Sequence, residues 1–484
     1  MACDAAAMPS FSHLAPGVAA GLLLVAASVH CGARTSLEAD GGSALGGAGG
    51  ESGSPTGGGG EGGAITGEPP CRLEIAGPSV QAIATPSSGV SSPSIVAIAT
   101  ASEGAPSDVA IQALASIEPH PVNVVGRWRL AEDWPVGASL VEMPTIFGIE
   151  SHSWGATAPA PDGSGLAMMW FSDPGFEGRV AFRHLEFSSW EGGPNIDLSF
   201  GGGGPIALAS GAGVGEFGVG HGGLGYAAAW RQSIDTGMGF FAQPEIAILN
   251  EEGDIRLGPH GLGPLVESPG VSPSIAWSGE SYLIATSWGG CANVDCPGDL
   301  TVHRFRPASG DAFDDSGIDL VWTEDVPDTV NRPVIASHGG RTWMAYVVGP
   351  DDEDAPQSVI ARELASDGTR LGEPIVVDPS TQPTGGLRLT AAPFGLVTMW
   401  ATDGDDPTLS PSDLGYTELQ IRHLGFDGVE ASAPLALPAT HYTSSGPTAL
   451  TAVETPRGIA LTWAGAGRGP DVAYLSLLTC SAER

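Results

Sequence analysis

Residues 272–290 read SPSIAWSGESYLIATSWGG, and residues 301–306 continue with TVHRFR. A Pro-opened apolar run, a Ser-Gly turn, a second apolar run ending on Thr286, and a third with a basic residue two before Phe305 describe a meander of short antiparallel strands. Runs of four to eight β-branched and aromatic residues bounded by Gly, Pro and Ser are strand signals.

The second of these runs recurs along the chain. GLAMMW at 165–170, GYAAAW at 225–230, SYLIAT at 281–286, RTWMAY at 341–346, GLVTMW at 395–400 and GIALTW at 458–463 end at intervals of 54 to 63 residues. A Pro-opened run precedes most of them, as in RPVIASHGG from 332 and GPTALTAV from 446. After them come RVAFRHLEF, TVHRFR, VIAREL and QIRHLGF, whose markers Leu185, Phe305, Leu364 and Leu424 keep the same period. The third run enters Asp367-Gly368, Asp427-Gly428 or, in a weaker copy, Glu252-Gly253. Asp-Gly between β-runs predicts hairpins with primed turns. A fourth run follows, as in RLGEPIVV.

Self-similarity at a fixed period marks a repeat architecture, and radial stacking of four-stranded meanders is the β-propeller. The chain is therefore predicted to be all-β. SPSIVAIAT at 92–100 with SDVAIQALA at 107–115 supplies one more copy. About seven blades of about 58 residues fill residues 71–480, with six or eight remaining as alternatives. The last repeat stops after its third strand, DVAYLSLLTC, while RLEIAG at 72–77 stands unclaimed before the first. Residues 72–76 are expected to supply the missing outer strand, with Cys71 bonded to Cys480 across the join. Cys291 and Cys296, in SWGGCANVDCPGD, are expected to close a small disulfide loop between two strands of one blade. An even number of body cysteines is the pattern of an oxidising compartment.

Ahead of the repeats, residues 1–31 read as an export segment. The apolar run VAAGLLLVAASV at 18–29 has the length of a signal-peptide core and is short for a membrane span. SVHCG at 28–32 resembles a bacterial lipoprotein processing site with Cys31 as the lipidated residue, although His30 stands where that pattern has Gly or Ala. Cleavage and release is the alternative. Residues 32–70 are rich in Gly and Ser and nearly free of large apolar side chains, which predicts a flexible linker. Such a linker reaches roughly 30 to 35 Å root-mean-square. GGGGEGG within it lacks the preceding strand and following helix of a phosphate loop. Residues 71–484 form the propeller body.

The 484 residues carry 55 acidic and 19 basic side chains, all of the latter Arg, for a formal charge of -36. That field repels nucleic acid at long range. With no Lys there is neither Schiff-base chemistry nor a P-loop lysine. The acidity itself suits a soluble exported surface.

The repeat pattern of Pro, Ile/Val-Ala, Gly, Tyr-Leu-Ile-Ala or Met-x-Trp, then Arg-x-Leu and Asp-Gly resembles the extracellular propeller-like repeats of large bacterial exported proteins and lipoproteins. The resemblance spans residues 71–480. It implies a surface-exposed propeller and brings no catalytic residues with it. The Asp-box of sialidases is missing, since Ser366-Asp367-Gly368-Thr369 lacks its spacing and Trp, and no run matches the calcium loops of integrin-type blades.

Trp170, Trp230, Tyr346, Trp400 and Trp463 share one strand position and are read as blade-to-blade packing, with sugar stacking as the alternative. Arg183, His303, Arg362 and Arg422 share another, read as ion pairs or hydrogen bonds inside each blade rather than a ligand ring. Asp351, Asp352, Glu353 and Asp354, and Asp403, Asp405 and Asp406, follow second strands; solvated loop charge is the reading, weak Ca²⁺ binding its rival. His152, His221, His338 and His441 are scattered, without HExxH, and GxSxG does not occur. No cofactor, metal site or catalytic residue is predicted.

The expected function is a non-catalytic, monomeric binding or scaffolding module, exported and held at the cell envelope through a lipid on Cys31, or secreted. Its loop face would meet a glycan, envelope component or protein, without nucleic acid. The alternative is a polysaccharide-acting propeller enzyme with carboxylates at the central channel. Intact mass of membrane-fraction protein tests the address and the cysteine pairing together: a lipid-bearing species starting at Cys31 that gains four hydrogens on reduction is expected, and four free thiols would refute both disulfides.

Overall fold

The computed structural model describes residues 71–83, 90–98, 107–117, 120–130, 139–147, 153–160, 165–172, 179–186, 196–200, 202–211, 225–235, 240–250, 254–263, 273–288, 298–306, 318–326, 329–349, 357–381, 383–404, 416–438, 450–466 and 471–482. Cys31, Cys291, Cys296 and the Glu252-Gly253 turn lie outside them, as do both acidic clusters apart from the backbone of Asp403. Every regular element among the described residues is a strand.

The repeated runs pair with their neighbours in sequence, giving six four-stranded antiparallel sheets and a five-stranded one. In chain order blade 1 covers 90–147, blade 2 153–200, blade 3 202–261, blade 4 274–326, blade 5 329–381 and blade 6 383–438. Blade 7 joins 451–482 to 71–83. The first strands of successive blades are neighbours in a closed cycle, with Thr451–Thr455 beside both Pro383–Ala392 and Val90–Ile98. They therefore surround the central channel, and fourth strands form the perimeter. The arrangement is the β-propeller expected from the repeat.

Blade 7 shows how the circle closes. Cys71–Ile75 adds antiparallel to Asp471–Ala482, with Leu73 opposite Cys480 and Ile75 opposite Leu478. The Ala76 amide continues the ladder by donating to the Leu477 carbonyl at 2.9 Å. After a break at 77–79 the chain returns to the same edge, Val80 opposite Leu475 and Ile83 opposite Ala473. The outer strand contributed by the N-terminal side is thus longer than residues 72–76 and has two segments. A disulfide joins Cys71 to Cys480 with a Cα separation of 5.3 Å.

Seven apolar clusters fill the structure, each between two consecutive blades. Leu166, Met168 and Trp170 of blade 2 pack on Ala110 and Val125 of blade 1. Ile459, Leu461 and Trp463 of blade 7 pack on Val397, Met399 and Leu419 of blade 6. Ala473, Leu475 and Leu477 of blade 7 pack on Val109, Ile111 and Val124 of blade 1, completing the cycle. Period-2 alternation makes this possible, because each strand turns its two faces to two different neighbours. Trp170, Trp230, Tyr346, Trp400 and Trp463 all face the preceding blade and are at most 4% exposed. They are packing residues, each contributing roughly 1.5–3 kcal/mol or more by burial.

The Asp-Gly hairpins differ from the expected primed turns. Ala365 donates to Thr369 O at 2.8 Å and Gly368 donates to Ala365 O at 2.9 Å, so the loop holds three residues. Gly425 to Val429 repeats this pattern. The Asp carboxylate is the cause: Asp367 Oδ1 accepts from the Thr369 amide at 2.9 Å and hydroxyl at 2.7 Å, fixing Asp one place earlier than a two-residue loop requires. Gly368 then takes φ +85°, a left-handed conformation that favours glycine. In blade 7, Gly458 begins the second strand because a Cβ there would strike the Leu478 carbonyl.

Opening the clasp should weaken the whole ring. A bond across a separation of 409 residues carries a chain-entropy value above ~4 kcal/mol. Cys480→Ser is expected to lower the calorimetric Tm by a few degrees as one transition; an unchanged Tm would show that strand pairing alone closes blade 7.

Candidate functional site at the channel mouth

Two of the recurrent basic residues of the third strands, Arg362 and Arg422, pair between blades, not inside them. Arg362 of blade 5 reaches Glu324 on the outer strand of blade 4, Nη1 to Oε2 at 3.3 Å, and Arg370 meets the same oxygen at 3.2 Å. Arg422 of blade 6 pairs with Asp378 on the outer strand of blade 5 at 2.7 Å and lies over Trp400, 5.5 Å from the ring centroid. The cross-blade direction follows from alternation: a residue opposite Met344 or Thr398 shares a face with Tyr346 or Trp400, and that face is turned to the preceding blade. Burial raises the Tyr346 phenol, and the Arg362 charge beside it opposes the shift.

Register identifies the same two positions elsewhere. In the outer strands, the places of Glu324 and Asp378 are taken by Ser199, Leu262 and Leu437 in blades 2, 3 and 6. The matching places in the next blades hold Ala247, His303 and Ser476 instead of Arg. At these junctions acid and Arg come or go together; the junction of blade 1 with blade 2 departs from this, with Phe147 at the outer place and Arg183 at the matching one. His303 is the neutral version: 7% exposed, with Nδ1 unpartnered among the described residues, its imidazole is lowered to about 4 by burial. An unfolded histidine takes its proton near pH ~6.5. Stability owed to neutral His303 is thus present above that pH and lost as pH falls toward about 4.

Among the described residues one ion pair faces the channel. His338 ends the inner strand of blade 5, and Glu454 lies one residue before the end of the inner strand of blade 7. His338 Nδ1 and Glu454 Oε2 are 2.8 Å apart, with the side chains 30% and 33% exposed. Burial pushes the Glu454 carboxyl upward, and the His338 charge opposes the shift. A histidine held at Nδ1 by a carboxylate has its ring orientation set and Nε2 directed elsewhere. Proton exchange and hydrogen bonding to a polar ligand are within the reach of such a pair. Sequence analysis singled out His338 only as one of several scattered histidines and missed Glu454 in TAVETPR, 116 positions further on.

His152, His221 and His441 lie outside the described residues. Among the described residues, no three His, Cys, Asp or Glu side chains assemble into a metal-ligand set.

No protein-family model and no curated protein matches the chain. Solved structures do. An α-L-arabinanase from Penicillium chrysogenum, complexed with arabinobiose, is 12% identical with a TM-score of 0.42, over 83% of this chain and 98% of that one. The GH93 α-L-arabinofuranosidase of Fusarium graminearum has a TM-score of 0.43 at 12% identity, over the same shares. TolB from Acinetobacter baumannii has a TM-score of 0.33 at 13% identity, over 66% of this chain and 60% of that one. The similarity is one of fold.

The paired substitution pattern predicts a compensation. Asp378→Leu strands Arg422 beside Trp400 and should cost about 3 kcal/mol. Adding Arg422→Ser recreates the Leu437 and Ser476 arrangement and should restore most of the loss, read as urea midpoints. Additive losses would refute the pairing.

Proposed function

We propose that the ring is an exported binding or scaffolding module, tethered at one end and offering the other to its ligand. The observation that carries this reading is the position of Cys71. It lies opposite Ala482, beyond the hairpin that joins Thr455 to Gly458, at the end of the ring bearing the tight turns 365–369 and 425–429. The 32–70 segment joins the body there. Connections from second to third strands leave from the other end, at Gly349 and Gln357 in blade 5 and at Gly404 and Tyr416 in blade 6. Connections carried on a rigid scaffold are where binding residues concentrate. A glycan, envelope component or protein would meet the ring there.

A second reading, an enzyme acting on polysaccharide, is favoured by Glu454, a channel carboxyl raised by burial beside an imidazole. Glycoside cleavage ordinarily employs two carboxyl groups about 5–9.5 Å apart. The group that meets Glu454 here is His338.

Sedimentation with cell-envelope glycan of the producing bacterium tests the binding reading. Replacing 350–356 and 405–415 by Gly-Ser segments should weaken co-sedimentation about tenfold or more, while Val429→Ser at the tethered end leaves it intact. Equal effects at both ends would overturn the assignment. Release of reducing sugar from a polysaccharide panel, abolished by Glu454→Gln, would establish the enzyme instead.

A further inference from the structure

The 32–70 segment runs directly into Cys71, which is both the first residue of the outer strand of blade 7 and one partner of the disulfide. A pull arriving along that segment has two covalent ways onward, through the main chain into residues 72–75 or through sulfur into Cys480. The strands that receive it are held very differently. Cys71–Ile75 is an edge strand, bonded on one side only, to Asp471–Ala482. Its apolar hold is Leu73, with Ile75 packed partly against the same cluster, while the Arg72 and Glu74 side chains are 62% and 52% exposed.

Asp471–Ala482 is bonded on both sides. Gly458–Ala466 pairs along one edge, from Ile459 opposite Leu478 to Ala466 opposite Asp471, and Cys71–Ile75 with Val80–Ile83 pair along the other. Its two faces are committed as well: Ala473, Leu475 and Leu477 pack on blade 1 and Leu478 on blade 6, all four fully buried. To move that strand, hydrogen bonds on both edges and apolar contacts on both faces must give way together. An edge strand carrying the pull alone can instead lose its pairs one at a time from Cys71–Ala482 inward. The break at 77–79 then leaves only the short segment Val80–Ile83 as the next to go.

We propose that Cys71–Cys480 is the mechanical anchor of the ring, passing tension on the 32–70 segment around the edge strand and into the strand held on both sides. The inference rests on the reading of that segment as a tether, and adds the point at which its pull enters the fold. This role is distinct from the bond's effect on stability. By the chain-entropy account a disulfide constrains the unfolded chain and leaves the native contacts as they are. An anchor instead decides which native contacts break first, and so sets the rate of forced unfolding. The position of the bond fits the second role. No residue of the ladder precedes Cys71, so no strand pair lies between the linker and the sulfur to be peeled away.

Single-molecule pulling of the full exported chain at constant force tests it. One handle is attached at the N-terminus and the other in the 350–356 connection of blade 5, and lifetimes are compared without and with dithiothreitol. Reduction should shorten the lifetime of the folded ring about tenfold or more. In a second chain the handles sit in 350–356 and 405–415, so the pull bypasses Cys71, and reduction should change the lifetime less than about twofold. Cys291→Ser combined with Cys296→Ser confines the action of dithiothreitol to Cys71–Cys480 and should reproduce the wild-type ratio. Equal lifetimes with the first pair of handles, or a ratio lost in that double variant, would overturn the anchor. Equal shortening with both pairs of handles would overturn it too, since that is loosening of the whole ring. Tethering of the native chain is read separately from the intact mass of membrane-fraction protein, so tether and anchor can fail independently.

Discussion

The ring depends on the addition of Cys71–Ile75 to the edge of Asp471–Ala482. Each blade buries one face on its predecessor and the other on its successor, so no blade has a finished core of its own. A linear stack would leave two raw faces. Closure removes both, and in this chain it requires strand pairing between segments about 400 positions apart. Early closure of so long a loop is entropically unfavourable, which is the physical reason for reinforcing the join with both a covalent bond and a second pairing segment at Val80–Ile83.

Inside that frame, apolar packing and electrostatics divide the work by position. The apolar clusters recur at all seven interfaces and follow the repeat. The ion pairs do not. They are strongest at the junctions of blade 4 with 5 and of blade 5 with 6, where Glu324 and Asp378 meet Arg362 and Arg422. At the junctions of blades 2, 3 and 6 with their successors leucine or serine replaces the acid and the base is absent or a neutral histidine, whereas Arg183 of blade 2 has Phe147 at the outer place of blade 1. A buried charge without its partner is far costlier than an apolar contact in the same place. Where the acid is present, at Glu324 and Asp378, the two positions are therefore constrained as a pair, although they sit on different blades.

That pairing also explains what could be read from the chain and what could not. Strand order, the seven-fold count, the partnership of Cys71 with Cys480 and the packing role of Trp170, Trp230, Tyr346, Trp400 and Trp463 all follow from period and alternation, which are local properties. The destination of Arg362 and Arg422 was misread as internal to each blade, because alternation tells which residues share a face but not which neighbour that face meets. The turn at Asp367-Gly368 was misread for a smaller reason: the Asp side chain competes for the Thr369 amide and lengthens the loop by one residue. His338 and Glu454 carried no signal at all. Nothing in SHGG or VETP points from one to the other, since only the curvature of a closed ring brings next-nearest inner strands within reach.

The two ends of the ring consequently have different physical characters. At the end where Cys71 lies, hairpin turns lock onto neighbouring blades: Ser278 and Ser281 both donate to the Ser366 carbonyl, Trp322 donates to Gly368 O, and Arg341 lies 4.6 Å over the ring of Phe426. Blade-to-blade hydrogen bonds of this kind resist the small rotations by which blades would otherwise slide, and the cross-channel pair acts in the same sense. The other end carries the connections from second to third strands, which the ring holds at fixed spacing without having to build its own rigidity from them. A scaffold stiffened by turn-to-turn contacts at one end can change the residues its other end offers without changing how it closes.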